Sequence, residues 1–206
     1  MPKDYVIKKR PLKKQIRATF SKGIILAGVA LGMLNMIRFG IITWIPTFLY
    51  EVQKLSITSI GLKIFLIPIF GVVGTLLFNH IKLKRDILTM IYMLGLAILM
   101  FSFPFVIGGM ITLFLSLSGF LVYGPHVFLV GTFPSRFLDK NVVDASTGFI
   151  DGMGYIGTTI VGIAVPFILS IWSWQAVFWF WGILSVLIII LIWFTKGDQS
   201  MNIDKS

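Results

Sequence analysis

The sequence predicts an all-α integral membrane protein of six transmembrane helices, with both ends in the cytoplasm. Three observations predict it. The chain of 206 residues is 57% hydrophobic and only 13% charged, where a soluble domain is about one quarter charged. The apolar residues gather into six runs, each long enough to match the ~20 residues that cross a ~30 Å hydrocarbon core at 1.5 Å per residue. The basic residues fall almost entirely on one side of the serpentine those runs would make.

Taken in order, the runs are Ile24 to Tyr50, Ile57 to Ile81, Ile87 to Ile107, Met110 to Phe133, Val142 to Ile171 and Gln175 to Thr195. The first is too long for a secretory signal, whose apolar region spans about 7–15 residues before a small-residue cleavage site. It ends instead in Pro46-Thr47-Phe48-Leu49-Tyr50-Glu51. Barrel strands would alternate apolar and polar residues over about 10 positions, and stretches such as Val186 to Ile192 do not alternate. Little chain lies between the runs. The expected organisation is therefore a basic segment over 1–22, one six-helix bundle over 23–196 and a short tail over 197–206.

Orientation follows from Lys and Arg, because basic loops are retained in the cytoplasm. Residues 1–22 carry Lys3, Lys8, Lys9, Arg10, Lys13, Lys14, Arg17 and Lys22 against Asp4 alone. The second-to-third connection adds Lys82, Lys84 and Arg85, the fourth-to-fifth adds Arg136 and Lys140, and the tail adds Lys196 and Lys205. The opposite side has Lys54. The net charge of +10 thus reads as a topology signal that can also touch anionic lipid, and not as a nucleic-acid surface. The expected location is the cell membrane, as a multi-pass protein.

Several chemistries find no footing. With no cysteine there are no disulfides or thiolate metal sites, and the two histidines, His80 and His126, are far apart in sequence. No zinc ligand set, P-loop, nucleophile elbow or dinucleotide fingerprint is present. The chain reads as neither an enzyme nor a cofactor protein.

Polar residues inside the runs mark a pathway instead. A central Arg or Asp costs about 2.5–3.5 kcal/mol on insertion scales, so such residues face a cavity or a partner. Arg38 lies near the middle of the first run, with Asn35 three residues before it on the same helical face. Asp151 in the fifth run and His126 in the fourth lie at similar depths, and Lys63 is six residues inside the second. Each has a structural alternative. Arg38 and Asp151 can be an ion pair, His126 a neutral core hydrogen-bonder, and Lys63 a side chain that snorkels to the interface. The third and sixth runs hold no charge, a division that suggests four cavity-lining helices and two lipid-facing supports. In the fifth run Gly148 and Gly152 form a GxxxG pair suited to close helix packing. Pro46, Pro68, Pro104, Pro125 and Pro166 allow kinks.

Three segments carry a resemblance. The first run contains Asn35-Met-Ile-Arg38-Phe39-Gly40 followed by Trp44, Pro46 and Glu51; the fourth contains Gly119-Phe-Leu-Val-Tyr123-Gly124-Pro125; the fifth contains Thr147-Gly148-Phe149-Ile-Asp151-Gly152-Met-Gly154-Tyr155. In this order they resemble helices seven, ten and eleven of the organophosphate:phosphate antiporters of the major facilitator superfamily. That family includes the glycerol-3-phosphate and hexose-phosphate transporters. The resemblance implies the C-terminal half of a twelve-helix transporter, with residues 1–22 as the linker between halves. It implies substrate contact at Arg38, Asn35, Tyr123, His126, Asp151 and Tyr155, with Arg38 on the phosphate. It also implies exchange of an organophosphate for inorganic phosphate by alternating access, and a second six-helix half, supplied by a separate chain or by a homodimer. Asn79-His80-Ile81-Lys82-Leu83-Lys84-Arg85 copies the family's acidic-basic loop poorly. The alternatives are a sugar-phosphate sensor that does not transport, or an inactive remnant of a transporter gene.

Overall fold

The computed structural model describes residues 20–135 and 140–196. The basic segment before residue 20, Arg136 and the tail lie outside the described residues. Six helices cross the bundle: α1 Lys22–Glu51, α2 Ile57–His80, α3 Arg85–Ser102, α4 Met110–Val127, α5 Lys140–Ile171 and α6 Trp174–Lys196. A 3₁₀ turn over Phe103–Phe105 ends α3, where Pro104 sits, and the path of α4 continues through a π turn, Phe128–Thr132, and a short turn, Phe133–Ser135. Each of the six spans is long and apolar enough to cross a membrane. The expected runs therefore coincide with the helices to within a few residues. The chain is a multi-pass, all-helical membrane protein.

Local chemistry sets the ends. The Ser56 hydroxyl accepts from the Ser59 backbone N–H at the start of α2, a serine N-cap. At the other end of α2, the Arg85 guanidinium donates to the carbonyls of Phe78 and Asn79 and lies over the Phe78 ring. Those carbonyls have no partner within their own helix, so Arg85 is both a loop charge and a helix cap. Lys54, with φ of 53°, makes the turn between α1 and α2. Buried hydroxyls return to their own helices: Ser116 to Thr112 O, Ser118 to Leu115 O and Ser185 to Trp181 O.

Packing follows a two-fold pattern. α1 packs on α5 and α6, α4 packs on α2 and α3, and α3 packs on α6. Exchanging the first three helices with the last three maps α1–α5 onto α2–α4 and α1–α6 onto α3–α4, and α3–α6 onto itself. That is the pattern of a three-plus-three inverted repeat, as found within each half of a major facilitator fold. The closest approaches repeat it too. A Cβ on Gly157 of α5 would lie 2.0 Å from Gly32 O of α1; one on Gly74 of α2 would lie 2.0 Å from Phe120 O of α4, and one on Gly119 would lie 2.1 Å from Ile67 O. In both helix pairs backbone rests on backbone, which only glycine permits.

One expectation changes. Gly148 and Gly152 have nothing within 4 Å of an added Cβ; the glycines that close α1 onto α5 are Gly154 and Gly157, on another face of the same helix. The helices of the third and sixth runs, α3 and α6, add no residue to the cleft beside Arg38 and expose Ile91, Leu94, Ile98, Ile183, Ile190 and Trp193, yet they are also well packed within the chain. Half of the α3 span and 44% of the α6 span are buried within the chain, against 22% for α2 and 28% for α5. Aromatic side chains explain this. Phe103 stacks on Phe178 at 4.3 Å between ring centres, and Phe48 meets both edge-on, so the ends of α1 and α3 converge on the start of α6. A second cluster joins Phe78, Tyr92, Phe120 and Phe128 across α2, α3 and α4.

The two glycine environments predict opposite effects of one substitution. Gly157→Ala forces a methyl against the Gly32 carbonyl and should lower thermal stability in detergent by roughly 1–3 kcal/mol, the usual cost of overpacking. Gly152→Ala meets open space and should be neutral or stabilising by up to ~1 kcal/mol from helix propensity. Equal effects in a melting assay would contradict this packing.

Candidate functional site

Arg38 projects from the middle of α1 towards α4. Its Nη1 lies 2.8 Å from His126 Nε2. Its Cζ lies 4.8 Å from the centre of the Tyr123 ring and 5.0 Å from that of Phe39. α4 can present Tyr123 and His126 together because residues three apart share a helical face. The backbone also favours this position. Gly119 lets α4 close onto α2 at Ile67, and Gly71 of α2 lies flat against the Tyr123 ring. Pro125 precedes His126 and lacks an N–H. The Phe128 N–H bonds both Gly124 O and Pro125 O as the helix opens into its π turn. π turns are frequent at functional sites.

The chemistry of the pair is fixed by what each group can do. A guanidinium has donors only and stays charged. His126 Nε2 must therefore be the acceptor, which makes the imidazole neutral with its hydrogen on Nδ1. The aromatic faces of Tyr123 and Phe39 favour the cation further. Among the described residues no carboxylate pairs with Arg38. Its Nε is buried without a partner, and among the described residues Nη2 has no hydrogen bond. Arg38, Ile41, Ile67, Ser118, Gly119, Val122 and Tyr123 line a cleft about the size of one water molecule beside the guanidinium. This arrangement is a desolvated, half-buried cation with one terminal amine free, suited to a small anion.

The six residues expected from the sequence fall into two groups. Arg38, Tyr123 and His126 meet. Asn35 turns instead to α5: its Nδ2 would lie 2.6 Å from a Cβ on Gly154, the side chain is 4% exposed, and its Oδ1 has no partner. Asp151 and Tyr155 flank Gly154 in sequence. Asp151 is half-buried, and Tyr155 is 64% exposed on the open side of α5. The ion pair considered for Arg38 and Asp151 is not formed; the partner of Arg38 is His126. Lys63, six residues into α2, donates from its ammonium to the Thr112 hydroxyl, two residues from the start of α4, and so reaches towards the end of the bundle where both helices begin. The sequence reading left out Phe39 and Ser118. The signal for Phe39 was present, since it neighbours Arg38 within the quoted motif; Ser118 has none, because it enters through the α1–α4 contact alone.

No protein-family model matches the chain. Individual relatives do. The chain is 24% identical over 193 residues to a glycerol-3-phosphate transporter of Haemophilus influenzae, covering 80% of this chain and 40% of the relative. It is 27% identical over 151 residues to a glycerol-3-phosphate transporter of Bacillus subtilis, covering 69% and 34%. It is 24% identical over 157 residues to the membrane sensor protein UhpC of Salmonella typhimurium, covering 71% and 35%. The chain thus spans well under half the length of these relatives, and none of them is named as an enzyme. Over that length it is homologous to glycerol-3-phosphate transporters and to a membrane sensor, and its six membrane helices are one half of a major facilitator fold.

Proposed function

We propose that the chain is one six-helix half of a transporter in the cell membrane. It carries a phosphorylated organic anion, glycerol-3-phosphate or a sugar phosphate, by alternating access in exchange for inorganic phosphate. The observation that carries this reading is Arg38, a guanidinium at mid-span with aromatic walls and, among the described residues, no carboxylate partner and no hydrogen bond at its second terminal amine. A guanidinium fork matches phosphate oxygens in charge and geometry. Tyr123 and His126 frame the anion, and Asn35, Asp151 and Tyr155 meet the organic part of the substrate. The relatives' names support the substrate class.

A second half is supported by the open face of α5. Gly148, Gly152, Tyr155 and Thr159 lie on one face of that helix and are exposed. Small and hydroxylated residues suit a protein or water boundary better than lipid. A cleft no larger than a water molecule cannot enclose an organophosphate, so the remaining walls come from a partner half, in a separate chain or a second copy of this one. The match to a membrane sensor supports a second reading, in which the same anion site reports sugar phosphate to a signalling partner without transport. Exchange of labelled phosphate in liposomes containing both halves separates the two, since a sensor binds without exchanging.

The distribution of basic residues supports a cytoplasmic side for both ends of the chain and for the α2–α3 connection. A cysteine introduced as Lys54→Cys should then react with an impermeant thiol reagent added to intact cells, against a background free of native cysteine. Protection of that site, with labelling at Lys84→Cys instead, would reverse the orientation.

Arg38→Lys keeps the charge but loses the fork. Losing one charged hydrogen bond, at about 1.5–3 kcal/mol, should weaken phosphate binding roughly ten- to a hundredfold. Equilibrium binding of inorganic phosphate to the detergent-purified protein measures it. Unchanged affinity in Arg38→Lys would remove Arg38 from the anion site.

A further inference from the structure

We infer that His126 binds a proton together with the anion, so that the Arg38 site takes up the phosphate group and a proton as one coupled event. The inference rests on the proposed anion role of Arg38 and adds a second participant and a direction of pH dependence to it.

The geometry leaves the anion little choice of approach. The side-on fork of Arg38 needs Nε, which is buried. A two-pronged anion must therefore use the terminal amines. One of these, Nη1, already donates to His126 Nε2 at 2.8 Å. An anion oxygen accepting from Nη1 either displaces the imidazole or comes to rest beside it. Displacement leaves the lone pair of Nε2 without a donor in a desolvated seam. Approach without displacement sets that lone pair against a negatively charged oxygen, acceptor against acceptor. Both outcomes are relieved in the same way. A proton from bulk water binds Nε2, and the imidazolium donates to the anion alongside Arg38. The anion-free state needs His126 neutral as the acceptor of Arg38; the anion-bound state needs it charged.

The surroundings of α4 leave this role to His126. From α1 the facing group is Arg38, and on α4 itself it is Tyr123. α2 brings Lys63, bonded to Thr112, and His80 at its end. α3 brings Tyr92, stacked on Phe120, with Arg85 and Asp86 at its start. α5 brings Asp144 and Asp151. Among the described residues none of these other than Arg38 hydrogen-bonds His126.

The sign follows from proton counting. The bound state holds the additional proton, so affinity rises as pH falls, by up to about tenfold per pH unit for one linked proton. The test uses sulfate, a tetrahedral dianion whose own charge is constant over the range, with inorganic phosphate in parallel. Calorimetric titration of the full chain from about pH 8 to about pH 6, in two buffers of different ionisation enthalpy, reads proton uptake directly. Uptake approaching one proton per sulfate is expected in the wild type. His126→Gln retains an acceptor for Arg38 but cannot titrate, so its sulfate affinity, whatever its level, should be flat in pH. Should that variant fail to fold, ¹⁵N-imidazole NMR of the His80→Gln protein, which keeps His126 as its single histidine, should show His126 passing from neutral to charged as sulfate is added. Arg38-dependent binding without proton uptake, or a pH slope that survives in His126→Gln, overturns the coupling and leaves the anion site intact. Failure of both anions to bind at any pH overturns the anion site and the coupling with it.

Discussion

A guanidinium held midway along a membrane helix, with no carboxylate against it among the described residues, is the constraint around which the bundle is organised. Left to lipid, such a charge costs about 2.5–3.5 kcal/mol on insertion scales. The chain offsets this with an imidazole nitrogen and two aromatic rings. These partners stabilise the cation without neutralising it. A carboxylate would have served stability as well, and Asp151 lies at a comparable depth on a neighbouring helix. It is not used. A charge solvated but left unneutralised keeps its field available to an incoming anion.

That solvation needs α4 to stand close to α1 with its Tyr123–His126 face turned inward, and the glycine contacts make this possible. α4 is fixed in depth and rotation by Gly74 against Phe120 and Gly119 against Ile67. α1 is fixed in the same way by Gly32 against Gly157. With no hydrophobic drive between helices in lipid, such backbone contacts and their van der Waals packing decide the register. The two pairs correspond under exchange of the first and last three helices. The site on α1 and α4 therefore joins the leading helix of one three-helix unit to the leading helix of the other.

The spans were legible in the sequence because hydrophobic length alone defines them, and their expected edges at Tyr50, Ile81 and Ile171 fall within one residue of the helix ends Glu51, His80 and Ile171. Arg38 was legible because a charge at mid-span is costly wherever it sits. Helix neighbours were not legible. Gly148 and Gly152 form a better motif on paper than Gly154 and Gly157, yet the second pair packs, because rotation of α5 is set by α1 and not by spacing within α5. For the same reason the contact of α3 with α6 through the rings of Phe103 and Phe178 was not legible, although their charge-free runs already read as supports. The sequence offered Asp151 as the structural partner of Arg38 and did not point to His126. Only the α1–α4 contact decides the pairing.

What the chain leaves open is also informative. The faces it covers poorly are on α2 and α5; on α5 one exposed stripe carries Gly148, Gly152, Tyr155 and Thr159, beside an exposed apolar one of Ile156, Ile160, Ile163 and Phe167 that suits lipid. The free amine of Arg38 and the unpartnered Oδ1 of Asn35 lie one helical turn apart along α1, one turned to α4 and the other to α5. An anion with a polar organic part has two such ends to satisfy. On the proposed reading, the second half that covers α2 and α5 also supplies the far wall for that substrate. On that reading, docking of the halves and enclosure of the anion are one event.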